Sequence, residues 1–599
     1  MPKAVSFEEY ANADRMACEI ALKYDKWNNF RHSWLTLTKE TRDYIFATDT
    51  RSTTAGNLGW KNSTHLPKLC QIRDNLHANY MSAIFPNDRA ISWEGGDKDS
   101  NTKKKKEAIE AYMREKMRQT DFRDQVSLCI LDYIDYGNCF AMEEFVSEYH
   151  QDPITGETIQ GYVGPRLRRI SPEDIVFDPT ASSFKESPKV LRTFTTIAEI
   201  ARVIKDHPEK GYLEEIFHEM IALRGKVKTA GAGPRDVKKN AAYLADGFSS
   251  YTNYFESDYV ELLEFYGDIY DTDTQTLHSN MHIVVADRAY IIKKEQHSSW
   301  LGSPPIFHAG WRQRPDNLYA MGPLDNLIGL QYRLDHLENA KADALDLIVH
   351  PVFKIRGLVE DFEYGPNARI YVGDDGDVEF MTPDASALSA NSEIAQIMQT
   401  MEEFAGAPRQ AMGFRTPGEK TKFEVQVLEN GANRVFLNKT AHFETVFLEP
   451  ILNSMVETAR RNFVATEEVR IEDTDFHFID FLSITKEDIT AKGKLKALGA
   501  RRFARKANLL QDLAQISATP MLQDPSVSVH FSGLRLAEII EDLLEIGEYN
   551  IVRENVRIEE QARTAQVTSA AEQMIMEEQT AGMSPEQVQQ ATRQAQQQE

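Results

Sequence analysis

The 599 residues carry 92 acidic against 68 basic side chains, a formal net charge of −24, with 42% hydrophobic and 27% charged residues. That apolar fraction supplies large cores and excludes global disorder, while the length exceeds one core, so an α+β chain of several domains is expected. The acid excess argues against a protein that clamps nucleic acid statically, because such affinity comes from neutralising phosphates with a basic face. Either the chain does not touch DNA, or it handles DNA without holding it tightly, or the acidity serves solubility.

No stretch approaches the ~20 apolar residues a membrane-spanning helix needs, and Met1 to Tyr10 contains no apolar signal core. No membrane partner and no export are expected. The cysteines are Cys18, Cys70, Cys129 and Cys139, with no C-x-x-C pair. That spacing predicts free thiols in place of a disulfide framework or zinc site.

From the N-terminus, residues 6–46 read as one helix, with Ser6 as N-cap and Glu9 completing a capping box. A Gly/Ser/Thr/Asn-rich loop, 48–64, leads to a second helix from Pro67 to Phe85. Lys103 to Lys106 precede an amphipathic helix from Glu107 to Tyr136, and such a lysine run reads as a solvated edge. Gly137-Asn138 closes it. A β-rich stretch follows with turns expected at Asp152-Pro153, Thr155-Gly156, Gly164-Pro165 and Asp178-Pro179, a helical pair over 197–224, and a Gly-rich linker at 231–234. Strands resume at 258–270, 281–287 and 289–294.

Pro323 to His350 reads as a helix with Leu327, Leu330, Leu334, Leu337, Ala344 and Ile348 on one stripe and acids elsewhere. Short strands are expected at 352–356, 368–372 and 378–380, then a helix from Ser392 to Ala405 and a Gly/Pro loop. One long helix over 419–462 would span roughly 65 Å, with a kink at Pro450. Residues 484–550 again read as helical, with Lys492, Lys494, Lys496, Arg501, Arg502, Arg505 and Lys506 on a basic helix over 490–511. A Glu/Gln/Ala-rich tail closes the chain.

Catalytic signatures fail on inspection. In Gly413 to Thr421, Glu419 stands where a P-loop needs lysine and Pro417 removes a backbone donor. Gly231-Ala232-Gly233 has Asp236 where a dinucleotide fingerprint wants glycine. His218-Glu219 lacks its second histidine, and Asp271-Thr272-Asp273 lacks the distal glutamate of a calcium loop. No catalytic residue, cofactor or metal is expected.

The order of parts is more telling: a β-rich region, a helix, a small β module, a returning helix, a Gly/Pro loop and a very long helix. His65 to Leu69 through Ala83 to Pro86, Asp135 to Asn138, Pro305 to Phe307, Arg314 to Asp316, Tyr319 to Pro323, Thr421 to Val425 and Gly493 to Leu510 carry local likeness. Together they resemble the portal, or head–tail connector, proteins of short-tailed bacteriophages, with Lys422 where that family has a small residue. The resemblance implies a helical part of a wing at 1–136, a β-rich wing at 137–322, a stem helix at 323–350 and a clip at 351–391. It further implies a returning stem helix at 392–405, a tunnel loop at 406–420, a long kinked wing helix and strand at 421–483, a helical crown at 484–552 and a tail or barrel helix at 553–599.

The likeness implies a non-enzymatic virion protein that assembles with itself into a ring, twelve-fold in the family, at one capsid vertex. Assembly would take place in the host cytoplasm. Double-stranded DNA would pass through the ring without sequence specificity. The implied partners are a terminase packaging motor, a tail adaptor, and the major capsid and scaffolding or internal core proteins. Asp325, Asp335, Glu338, Asp343 and Asp346 would line the channel with negative charge, so that the duplex slides. Arg409, Arg415 and Lys420 would touch DNA from the tunnel loop, and the basic residues of 492–506 would form a crown cluster. The alternatives are a head–tail adaptor without a conducting stem, or a cytosolic enzyme of unrecognised fold.

Overall fold

The computed structural model describes residues 5–6, 10, 13–46, 64–86, 90–100, 102–151, 158–224, 226–228, 251–271, 275–297, 303–349, 352–357, 359, 369–374, 376–381, 390–405, 434–463, 466–473, 478–499, 537 and 539, and these mix helix and sheet. The chain divides into two units, residues 1–500 and 501–599, and the first holds the sheets and the helices that pack on them.

The single helix expected over 6–46 is three separate pieces. Val5–Ser6 (β1) is a strand, α1 runs Arg15–Phe30 and α2 runs His32–Phe46. Asp14, not Ser6, caps α1: its carboxylate accepts the Met16 and Ala17 N–H groups at 2.8 and 3.3 Å. Arg31 divides α1 from α2, and its buried guanidinium donates to the carbonyls of Pro172 and Ile175 at 2.8 and 2.7 Å. Helix α3 (Lys68–Ile84) lies close to expectation and is followed by β2 (Ile91–Gly95). The expected 107–136 helix is two helices, α4 (Lys103–Gln119) and α5 (Phe122–Asp135), broken where Asp121 takes a left-handed φ of 49°. Within α4, Lys104 pairs with Asp488 at 3.1 Å and Lys105 with Asp99 at 2.8 Å.

Gly137 turns the chain out of α5 at φ 67°. Only glycine fits there, since a Cβ would stand 2.3 Å from the Gly322 nitrogen. Strands β3 (Asn138–Gln151) and β4 (Thr158–Ile170) form an antiparallel sheet with β11 (Ile306–Gly310) in the order β11-β3-β4. Gly164-Pro165, expected as a turn, lies inside β4 opposite Val146 and Phe145. Because β4 is an edge strand, the missing proline N–H costs no ladder bond.

A second antiparallel sheet, ordered β10-β9-β8-β6-β5, comprises β5 (Ile175–Phe177), β6 (Lys189–Thr196), β8 (Tyr259–Asp271), β9 (Thr276–Ala286) and β10 (Tyr290–Gln296). Both its faces are covered. Helix α1 packs Ile20, Tyr24 and Trp27 on Leu263, Phe265 and Val285. Helices α6 (Ile197–Asp206), α7 (Glu214–Arg224) and α8 (Tyr251–Glu256) pack Ile200, Phe217 and Tyr254 on Leu262 and Val284. The adjacent pairs Leu262/Leu263 and Val284/Val285 serve opposite faces because strand side chains alternate. Strand β7 (Val227–Lys228) pairs with β1 in parallel.

The largest core joins α3, α4 and α5 to the remaining helices, among them α9 (Ile328–Val349) and α10 (Ala390–Ala405), which flank the strands β12 (Val352–Arg356) and β13 (Asp377–Met381). Of the strand expected over 368–372, only a bridge between Val372 and Val359 forms. The long helix is described as α11 (Arg434–Phe443), a π turn over Glu444–Leu448, and α12 (Glu449–Asn462); residues 419–433 lie outside the described residues. The Glu449 N–H reaches back to the Glu444 carbonyl, so a wider turn precedes Pro450, whose nitrogen has no proton to donate. A hairpin of β14 (Glu467–Asp473) and β15 (Phe478–Ile484) leads to the short α13 (Lys486–Ile489) and to β16 (Gly493–Ala497).

Strand β16 corrects the basic helix expected over 490–511. It pairs antiparallel with β2, Leu495 opposite Trp93. The Asn453 side chain of α12 clamps it, accepting the Leu495 N–H at 2.8 Å and donating to the Leu495 carbonyl at 3.0 Å.

Candidate functional site

Among the described residues, helices α9 and α10 and the strand pair between them follow one another in the chain as a helix–strand–strand–helix arm. Its base is rooted in the main core: Leu334 of α9 and Ile394, Met401 and Ala405 of α10 are buried. Two buried polar contacts lock the base to the segment entering α3. Asp335 accepts the Leu66 N–H at 3.0 Å and meets His65 Nδ1 at 2.8 Å, and Asn339 both accepts from and donates to the Thr64 backbone at 2.7 and 3.0 Å. Arg333 and Glu393 join the helices at 2.9 Å.

Toward the strands the arm loses cover. Leu345 is 40% exposed, Val349 59%, Ile355 53%, Tyr371 61% and Val372 46%. The strands pair in register from Val352 with Met381 to Arg356 with Asp377, and Lys354 bonds Glu379 across them at 2.9 Å. Two strands alone do not make an independently stable sheet.

The acidic residues divide by position. Asp325 and Asp335, expected to line a channel, are buried in the chain itself. Asp325 accepts the Gly322 N–H at 2.7 Å, and burial pushes its pKa up to about 6. Asp335 is committed to His65, Leu66 and Gln331. Buried groups so bonded cannot present charge to a bore, so neither lines one. Glu338 is half-buried and pairs with Lys341 at 2.8 Å, Asp343 is half-buried, and Asp346 is exposed.

The basic residues also part company. Lys492 precedes β16, Lys494 and Lys496 lie on it, and Lys496 pairs with Glu94, so these three form no helical crown stripe. Arg501, Arg502, Arg505 and Lys506 lie outside the described residues, as do Arg409, Arg415 and Lys420 of the loop. The arm's exposed apolar residues escaped the sequence reading. Their one available signal is Tyr371-Val372 beside Gly373-Asp374, apolar side chains next to a turn, where burial is least expected.

Among the described residues no three His, Cys, Asp or Glu side chains gather into a metal-binding group, and no helix is long and apolar enough to cross a membrane. The four cysteines are free thiols. Compared with known proteins, the chain matches no protein-family model and no curated protein.

Proposed function

We propose that the chain is the subunit of a portal-type ring through which double-stranded DNA enters and leaves a phage capsid. The packaging motor and then the tail adaptor would dock on the arm's strands, and the wing would meet capsid and scaffolding or core proteins. The observation that carries the reading is the arm: two helices rooted in a core, a small strand pair at their far end, and apolar side chains there that the chain leaves uncovered. A ring would cover them by repeating one heterologous contact around an axis. The order of parts along the chain and the net charge of −24 are further support, since an acidic conduit lets phosphates slide.

In this reading Glu338, Asp343 and Asp346 remain as channel acids, while Asp325 and Asp335 do not. Arg409, Arg415 and Lys420 remain the proposed DNA contacts of the loop. Native mass spectrometry and negative-stain images test the assembly. The expected result is a large closed oligomer with a central hole. A strictly monomeric species at micromolar concentration overturns the proposal, and a closed oligomer whose arm deletion still packages DNA favours an adaptor without a conducting stem.

A further inference from the structure

Several buried or half-buried cations of this fold are matched by carboxylates: Lys68 with Glu402, Arg224 with Asp287, Arg73 with Asp135, Arg169 with Asp132 and Arg192 with Glu261, while Arg31 is held by backbone carbonyls. One region holds a buried lysine beside a cavity. A cleft of about 690 Å³ opens between the 180–185 loop, β11, the 313–318 turn and the start of α12.

Beneath it lies Lys189, fully buried, whose Nζ donates, among the described residues, to the carbonyls of Lys185 and Ser187 at 3.3 and 2.8 Å and sits 4.5 Å from the Phe184 ring centre. Nearby, Arg312 and Lys439 share the Trp311 indole, 5.2 and 4.7 Å from its centre, and His442 lies 3.5 Å from the Gln313 amide. Among the described residues, none of Lys185, Lys189 and Lys439 pairs with a carboxylate, whereas Arg312 lies in the field of Asp325 and Lys439 donates to the Trp311 carbonyl. Asp316, an acid on the rim, is held by Arg314 at 2.7 Å. In a chain with 92 acids, a cleft lined by Lys185, with Lys189 beneath it and no carboxylate paired to either among the described residues, is receptive to negative charge.

The hydrogen bonds fix one further feature. The Asn138 Nδ2 donates to the carbonyls of Tyr136 and Ala320, so its Oδ1 is the acceptor, taking the Ala320 N–H at 2.9 Å and His308 Nε2 at 3.0 Å. The proton of His308 is therefore on Nε2, and Nδ1 is left as an acceptor on a side chain that lines the cleft. Burial and the neighbouring Lys189 push His308 down to about 3, so it stays neutral. Lys185, Gln313 and Asn317 add donors on the cleft walls.

We propose that this cleft binds a small organic anion through a phosphate or carboxylate group. The volume falls in the range of small-molecule sites, larger than a bare ion needs. The anion would meet Lys185 and the amides directly, lie in the field of Lys189, and offer a hydroxyl or protonated oxygen to His308 Nδ1. Nothing in this site depends on the chain forming a ring.

The test is thermal unfolding of the full chain at pH 7, in chloride, inorganic phosphate and succinate at equal ionic strength. A saturable rise in Tm with phosphate, with succinate or with both supports the site and identifies the group it takes. Lys185→Gln, on the surface, should leave the Tm in chloride unchanged and weaken the apparent affinity at least ten-fold. Lys189→Met should leave the Tm in chloride no lower than wild type, because burial already pushes the Lys189 pKa down to about 7, and should at least halve the anion increment. No saturable rise with either anion in the wild type, or equal increments in the wild type and both variants, overturns it.

Discussion

Nζ of Lys68 lies 2.6 Å from Oε1 of Glu402, with both side chains buried, tying the first turn of α3 to the last turn of α10 across 334 positions of sequence. Removing one member leaves a buried charge unmatched. Lys68→Ala is expected to lower the unfolding free energy by about 3–5 kcal/mol, whereas Lys68→Met with Glu402→Leu should fall within about 1–2 kcal/mol of wild type. Urea midpoints distinguish the two, and a double variant as weak as the single shows that the pair is needed as charge.

His65 is held above its ordinary pKa, mainly by its hydrogen bond to Asp335. A base whose pKa is raised by folding contributes fully below its unfolded pKa, about 6.5, and loses that contribution as pH rises through the folded value. The stability gap between wild type and His65→Gln should therefore be widest below pH about 6.5 and narrow toward pH 8.5. Paired urea titrations measure it; a gap that widens with pH refutes the assignment.

Asp325 behaves in the opposite sense. Burial raises its pKa to about 6 in the folded chain, so the unfolded chain gives up its proton first and folding is penalised increasingly from pH about 4 to 6, then constantly above. Asp325→Asn keeps an acceptor for the Gly322 N–H and should gain about 1–3 kcal/mol over wild type at pH 7.5, with little gain at pH 4. Unchanged stability at both pH values would mean the carboxylate is solvated after all.

Gly137 cannot carry a side chain: the φ of 67° and the approach of Gly322 both forbid a Cβ. Gly137→Ala is expected to lose more than about 3 kcal/mol, strain and clash together. Gly329→Ala is the control. A Cβ there meets nothing within 4 Å, and in a helix it should gain up to about 1 kcal/mol.

The arm separates assembly from folding. Val349 and Tyr371 are 59% and 61% exposed, so Val349→Asp with Tyr371→Asp should leave the subunit's unfolding midpoint within about 0.5 kcal/mol per site. The same variant should shift native mass spectra from a large oligomer to smaller species. An intact oligomer would place the subunit contact elsewhere.

Local chemistry alone determined much of the chain. The helix read over 323–350 is found as α9, Ile328–Val349; the strands at 352–356 and 378–380 are found as a pair; and Gly137-Asn138 marks a corner because few residues tolerate its backbone. In each case hydrophobic period or turn residues suffice. Only tertiary structure could decide the rest. Lys494-Leu495-Lys496-Ala497 is as compatible with a basic helix as with an edge strand, and partners distant in sequence, β2 and Asn453, made it a strand. Asp325 and Asp335 share the composition of a charged helix face, yet the docking of Gly322 and of His65–Leu66 buried them. A carboxylate's spacing along a helix shows which side it faces; whether water or a backbone N–H waits there depends on the segment docked beside it, three residues away for Asp325 and 269 for Asp335.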